Sequence, residues 1–506
     1  MAAPSFRLQE ATIDDIHAAF RSGQLTSRQL VELYLARIDA LDKQGPAINA
    51  IVTVNPNALD EADAADRAFR ERGEFIGPLH GIPVLVKDQL ETRGLTTTFG
   101  SAALKDYVPE SDATIVARLR AAGAVILAKT NLPDFATSWF GFSSSGGETK
   151  NPYVLERDPG GSSAGTGAGV AANLGAVGIG EDTGGSIRVP ASFDNLVGLR
   201  VTTGLISRTG CSPLVEFQDT AGPMARTVRD AAILLDTLVG YDPSDPYTVA
   251  ALLERRPAGG YAAGLTPDAL RGVRLGVLRD AFGADDDPDS GPVNRVIEQA
   301  IADLRRLGAE VVDPVRLPTL QEYIAETSLY LHRSKYDLNR FLAARPSAAM
   351  RSVQEIYAAG QYHPRQDLFI QIAEEAPEVP EDREDYFRKL AQREVFRREL
   401  LKLMADHQLA ALVFPDVQVL PPLRADVQAG RWPVLSFPTN TLIGSQTDLP
   451  AISVPAGFSP DGVPVGIEFL GKPYDEANLL RYAYAFEQGT GHRRAPASAP
   501  PLPGEP

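Results

Sequence analysis

The stretch DPGGSSAGTGAGVAANLGAVGIGEDTGGSIRVP, Asp158 to Pro190, holds ten glycines and three serines but no histidine, cysteine, lysine or aromatic ring. Glycine at this density marks backbone that turns tightly or approaches a neighbour closely. The bias reaches outward: 17 of the 44 glycines lie between Gly141 and Gly222, where even spreading would put about seven. Within the stretch, "AGTGAGVAA" reads as a helix whose small residues let it lie close to a sheet.

On the N-terminal side, "GIPVLV" (81–86) and "AVILA" (124–128) are short apolar runs bounded by turn formers, the pattern of buried strands. Helices are predicted between them and before them. Residues 112–122 form one; 56–72 form another, opening at Pro56 and closing before Gly73. Thr12 and Thr26 or Ser27 are N-caps of two early helices, the second placing Leu30, Leu33, Tyr34, Ile38 and Leu41 on one face. On the C-terminal side the pattern is helical and charged from Thr319 to Asp406, then "LAALVFPDV" and "AISVPAGF" return to strand character. This alternation predicts an α/β sheet covered by helices, with a helical cap inserted at about 319–406. The reading is a body of residues 1–493 and a Pro-rich, disordered tail over 494–506.

At 506 residues the chain is long enough for two or three domains or for one unusually large core. Hydrophobic residues make up 44% and charged residues 23%, with a formal charge of -16. That balance disfavours nucleic acid and anionic membrane surfaces. The most basic segment, Arg383 to Lys402, interleaves acids and reads as a solvated helix face. A single cysteine, Cys211, rules out an internal disulfide and a multi-thiolate metal site. No basic segment followed by an apolar core opens the chain, and no run of 18 apolar residues occurs, so the expected location is cytoplasmic. Homo-oligomer formation stays open.

The glycine-rich stretch admits three readings. Gly161-Ser162-Ser163-Ala164-Gly165 matches a nucleophile elbow, with His332, His363, His407 and His492 downstream, but an elbow needs a strand running into the serine. The preceding segment carries Pro152 and Pro159 instead. Gly167, Gly169 and Ala172 satisfy a dinucleotide fingerprint and hence a nicotinamide-dependent oxidoreductase, which again requires a strand in front.

The third reading takes the whole pattern. "GIPVLVKD" (81–88), "GGSSAGTGAGVAA" (160–172) and "GEDTGGSIRVPASFDNLVGLR" (180–200) together resemble the amidase signature family, and the likeness resumes at "LPAISVPAGF" and "GVPVGIEFLG". The resemblance implies one large α/β/α domain with a mixed sheet between helical layers. It implies hydrolysis of a linear carboxylic amide, a small-molecule substrate, with no metal and no cofactor. Matched residue by residue, the family's Ser/cis-Ser/Lys triad falls on Ser186, Ser162 and Lys87. The amides of Thr183, Gly184, Gly185 and Ser186 form the oxyanion hole. Asp182 and Arg188 pair to hold that turn, and Ser163 helps orient Ser162 or Lys87. A lysine serves as base only when neutral, which asks burial to lower its pKa by about three units, roughly 4 kcal/mol. The alternative within the family is the amidase subunit of a tRNA-dependent amidotransferase. The chain departs from the family's frequent forms at "GGSSAGT", at "SQTDLPA" (445–451) and at "FATSWFGFSSSGGETKNP". From the last two, Trp139, Phe140, Phe142 and Ser445 are candidates for the substrate pocket, which the aromatic residues would make apolar.

Overall fold

The computed structural model describes residues 6–254 and 256–506. The early helices begin where the sequence places them. Thr12 and Thr26 each accept a hydrogen bond from the third helical amide, and Asp15 and Gln29 reach back to complete capping boxes. The third helix, Ala58–Arg72, ends at Gly73, whose φ of 72° is the left-handed conformation that glycine adopts without a Cβ clash.

Eleven strands form one mixed sheet: β1 (Ile51–Val54), β2 (Pro83–Lys87), β3 (Val125–Thr130), β6 (Val177–Asp182), β7 (Val197–Arg200), β8 (Thr220–Ala225), β9 (Arg274–Leu278), β10 (Glu310–Val315), β11 (Ala411–Pro415), β12 (Ala451–Phe458) and β13 (Pro464–Leu470). A separate two-residue ribbon pairs β4 (Phe142–Ser143) with β5 (Gly147–Glu148). The order across the sheet is β1-β3-β2-β6-β8-β7-β12-β13-β11-β9-β10. Strands from the first 225 residues therefore make one contiguous half and later strands the other. The halves meet at β7 and β12, where Ala451, Ile452 and Ser453 pair antiparallel with Arg200, Leu199 and Gly198. β2 runs parallel to both β3 and β6. Every residue of these three strands is buried, so both faces of the sheet are covered.

The glycines have a packing explanation. Helix Ala164–Ala171 lies against β2 and β6. A Cβ on Gly169 or on Gly175 would strike the Leu85 side chain, and one on Gly178 would strike Thr166 and Val170. Because side chains two apart along a strand share a face, Leu85 and Lys87 both point toward this helix. The glycines thus bring the helix's leading residues, Ser162 and Ser163, down onto the end of β2.

Five helices, Leu320–Thr327, Tyr330–Ala343, Val353–Ala358, Asp367–Glu375 and Tyr386–Asp406, separate β10 from β11. Several of them share a second apolar core with Phe99, Phe135, Phe140 and Phe437. The Pro-rich end is not a disordered tail. Ala499 is wholly buried, Leu8 donates its amide to the Pro506 carbonyl at 3.1 Å, and Arg37 pairs with Glu505 at 2.9 Å. The physical reason is Arg37 itself. Its side chain is fully buried, and it donates to the carbonyls of Ala172, Asn173, Ala499 and Pro500 as well as to Glu505, so the tail supplies part of what a buried guanidinium requires. Among the described residues, no helix is long and apolar enough to cross a membrane.

Candidate active site

Lys87 ends β2 with no exposed surface. Its Nζ lies 2.8 Å from Ser162 Oγ, 3.1 Å from the Glu181 carbonyl and 3.4 Å from Glu181 Oε2. Burial lowers its pKa below that of an ordinary lysine, while the carboxylate of Glu181 pulls it back up. The Gly161–Ser162 peptide is cis.

Ser186 sits in the turn after β6 and forms part of the wall of a cavity of about 450 Å³. The amides of Thr183, Gly184, Gly185 and Ser186 donate to no acceptor among the described residues. The next amide, Ile187, is committed to Asp182 Oδ2 at 3.1 Å. Gly185 has a φ of 144°, and a Cβ there would run into Thr441. A Cβ on Gly184 would run into Tyr330 and Trp139. Thr441 Oγ1 donates to the Gly184 carbonyl at 2.8 Å, and Gln218 Nε2 donates to that of Thr183 at 2.5 Å. The turn is thus pinned through two of its carbonyls while its four amides have no acceptor among the described residues.

The two serines are tied through the backbone, Ser163 donating its amide to the Ser186 carbonyl at 3.1 Å. No hydrogen bond joins the Ser162 and Ser186 hydroxyls among the described residues. Both rotate about a single torsion, and such contacts commonly tighten only with substrate in place.

Asp182 and Arg188 pair as the sequence suggests, with Nη2 to Oδ1 at 3.1 Å and Nε to Oδ2 at 3.2 Å. Arg188 also donates to Glu468 Oε1 at 2.6 Å and to Ser445 Oγ at 2.7 Å. Although burial pushes the Asp182 carboxyl up, Arg188 and Arg200 together hold it down at about 2. Replacing Arg188 with Met leaves two buried carboxylates without this partner. We expect a loss of about 3–5 kcal/mol in denaturant unfolding at neutral pH.

Several candidates occupy other roles. Ser163 bonds to neither Ser162 nor Lys87; its Oγ bridges the backbone N–H and C=O of Glu181, both at 3.2 Å. Ser445 is fully buried behind Arg188 rather than on the cavity wall, where its neighbour Gln446 lies. Of the three aromatics only Trp139 lines the cavity, its Nε1 donating to the Val434 carbonyl at 2.9 Å. Phe140 packs edge-on against Phe437, and Phe142 lies beside the His363 ring. The cavity's apolar surface comes instead from Leu214, Tyr330, Leu368, Val434, Phe437 and Leu442.

The competing readings lack their required parts. No strand runs directly into Ser162 or into Gly167. His332 bonds to Asp385, His363 packs on Phe142, His407 closes the helix Tyr386–Asp406 and His492 lies 3.5 Å from Asp303, and among the described residues none of the four bonds to a serine of the stretch. Cys211 is buried, and burial followed by the nearby Glu181 charge raises its thiol well above the ordinary value. That is the opposite of what a nucleophilic cysteine needs.

Sequence reasoning passed over Glu181, whose carboxylate lies on Lys87 and whose Oε1 is 3.2 Å from Thr183 Oγ1. The available signal was its place between the strand "VGIG" and Asp182, inside a motif otherwise read in full.

The chain is similar to known proteins over nearly its whole length. The sequence profile of the Amidase family matches residues 29–480. A probable amidase from Arabidopsis thaliana is 37% identical over 512 residues, covering 97% of this chain and 92% of that protein. A glutamyl-tRNA(Gln) amidotransferase subunit from Moorella thermoacetica is 36% identical over 483 residues, covering 94% and 95%. The solved structure of the peptide amidase from Stenotrophomonas maltophilia superposes with a TM-score of 0.84 at 38% identity, covering 98% of this chain and 100% of that one. With sequence profile, relatives and fold in accord from end to end, the chain belongs to the amidase family and hydrolyses carboxylic amides.

Proposed function

We propose that amide hydrolysis here runs through an acyl-enzyme on Ser186. Ser186 Oγ attacks the carbonyl carbon while Ser162 takes its proton and passes its own to neutral Lys87. The oxyanion is received by the amides of residues 183–186, held where charge develops. Ser162, recharged from Lys87, protonates the leaving amine, and water then cleaves the ester by the reverse relay. The observation that carries this reading is the 2.8 Å contact of a fully buried lysine with Ser162, beside a cavity walled by Ser186.

The cavity supports a reading of the substrate class. About 450 Å³ lined by Trp139, Leu214, Leu368 and Phe437 suits a bulky apolar acyl group, such as the C-terminal carboxamide of a short hydrophobic peptide. The likeness to a peptide amidase supports this choice. The experiment compares kcat/KM for a hydrophobic dipeptide amide with that for acetamide and for glutamine. We expect the dipeptide amide to exceed both by about 100-fold or more, since each buried methylene alone contributes about tenfold. Equal values or a preference for glutamine would instead favour the amidotransferase-subunit reading, which the relative from Moorella thermoacetica keeps in play. Stoichiometric copurification with a tRNA-binding partner would point the same way.

A further inference from the structure

Lys87 is not alone with its serine. Glu181 is fully buried, and its Oε2 lies 3.4 Å from Lys87 Nζ, which is also 2.8 Å from Ser162 Oγ. We propose that Glu181 is a positioning residue of the proton relay, whose carboxylate stabilises the Lys87 ammonium that forms when Ser162 hands over its proton. This rests on the reading of Lys87 as the base. In the step concerned, the Ser162 O–H bond breaks, an N–H bond forms on Nζ, and the new positive charge appears against an existing negative one. A carboxylate behind an imidazole does the same for a Ser-His pair, by orienting the base and stabilising its protonated form.

The contacts fit the task. A neutral amine has two N–H bonds and one lone pair. With Lys87 neutral, the 2.8 Å contact lets its lone pair accept from Ser162 while its two N–H bonds go to the Glu181 carbonyl and to Oε2, so the lysine is fixed by one residue and reacts toward another. The carboxylate is held in turn. Oε1 contacts Thr183 Oγ1, which lies 2.6 Å from Asp219 Oδ1, and Asp219 accepts the amides of Leu214 and Val215. This chain leads from Lys87 to the wall of a second cavity of about 420 Å³, which Asp219 lines.

The other groups around the pair do not duplicate Glu181. Asp182, from the same strand, is engaged by Arg188 and Arg200. Cys211, after β7, stays a thiol because burial raises it well above its ordinary value. Burial also pushes Asp219 well up, and the Glu181 charge pushes it further. Tyr330, from the inserted helices, is raised by burial and stays a phenol. Burial raises Glu181 itself, and the Lys87 charge opposes that shift, so carboxylate and ammonium favour each other.

The test is the pH profile of kcat/KM for Glu181→Gln on an amide substrate. Gln keeps the size and the hydrogen bonds but removes the charge. The acid limb should move to lower pH by about one unit or more, since an uncompensated ammonium in this site forms less readily. At the plateau, kcat should fall by about 10- to 100-fold with KM little changed, because the weaker base is also worse supported in the transition state. Glu181→Asp, which keeps the charge and draws it back by one methylene, should move the limb less than Gln does. A limb that stays in place in Glu181→Gln overturns the proposal whatever happens to kcat. Should that variant fail to fold, Glu181→Asp decides, and a limb coincident with the wild type overturns it. Lys87→Ala separates the two levels: if its limb also stays in place, the reading of Lys87 as base has failed, and if only the Glu181 variants leave the limb unmoved, Lys87 stands without this partner.

Discussion

Ser186→Ala is expected to lower kcat on amides by about 10⁵-fold or more while KM and thermal unfolding stay close to wild type. Among the described residues, Ser186 is the nucleophile of the proposed site that lines the cavity, and it belongs to the turn whose four amides have no acceptor there, so no neighbour is placed to replace it. Residual turnover would come from the oxyanion cradle and binding alone. The fold should be indifferent, because the Ser186 side chain makes no hydrogen bond among the described residues and its removal orphans no buried partner. A fluorophosphonate offers a direct check: it should label wild type at Ser186 by peptide mapping and leave the variant unlabelled. Label on Ser163 would contradict the proposed chemistry, since that hydroxyl is engaged with the Glu181 backbone.

The second large effect is expected in Lys87→Ala, with amide hydrolysis reduced by about 10³- to 10⁴-fold, the range that general acid–base assistance supplies. Activated esters should lose much less, because their leaving groups depart without a proton. The sign of the pH dependence follows from the site. Below the pKa of Lys87 the ammonium has no lone pair to offer Ser162, and above it the amine does, so wild-type activity rises with pH through this limb. Burial brings the limb below the ordinary lysine range. In Lys87→Ala the limb should vanish from the amide profile, and no histidine beside the serines exists to produce another. The variant should remain folded, since Glu181 left without its partner can take up a proton, in the direction burial already drives it. Thermal unfolding across the same pH range provides the control.

What could be read from the sequence follows the range over which each constraint acts. The strand at 81–86 and the glycine-rich helix are local, each set by residue types within a few positions, whereas the roles of Lys87, Ser162 and Ser186 were implied by the resemblance of three motifs to the amidase signature family. The substrate wall is not local. Trp139 and Phe140 lie in irregular chain and Phe142 in a two-residue strand, with no period to say which ring faces inward, and the partner that draws Phe140 away, Phe437, is almost 300 residues distant. Ser445 belongs to Arg188 because a buried guanidinium gathers acceptors from several segments. The tail misled for a related reason. Proline-rich composition forbids helix and strand but not order, and here Arg37, near the other end of the chain, fixes it. Glu181 was legible as a residue and silent as a partner, since a carboxylate's meaning depends on what lies across from it.

The division of the sheet at β7 and β12 separates inheritance of the proton relay from inheritance of much of the cavity wall. Lys87, Ser162, Ser186 and Glu181 all descend from the first half, together with Trp139 and Leu214 of the wall, whereas Tyr330, Leu368, Val434, Phe437 and Leu442 descend from the second. Grafting the second half of a relative onto this first half, with the seam at Gly198–Arg200 and Ala451–Ser453 retained, would transplant an acyl preference onto an unaltered proton circuit. Substitutions accumulating after residue 270 can therefore diversify what such an enzyme accepts without renegotiating how it breaks the bond, so long as Thr441, Ser445 and Glu468, which hold the 183–188 turn from that half, are kept.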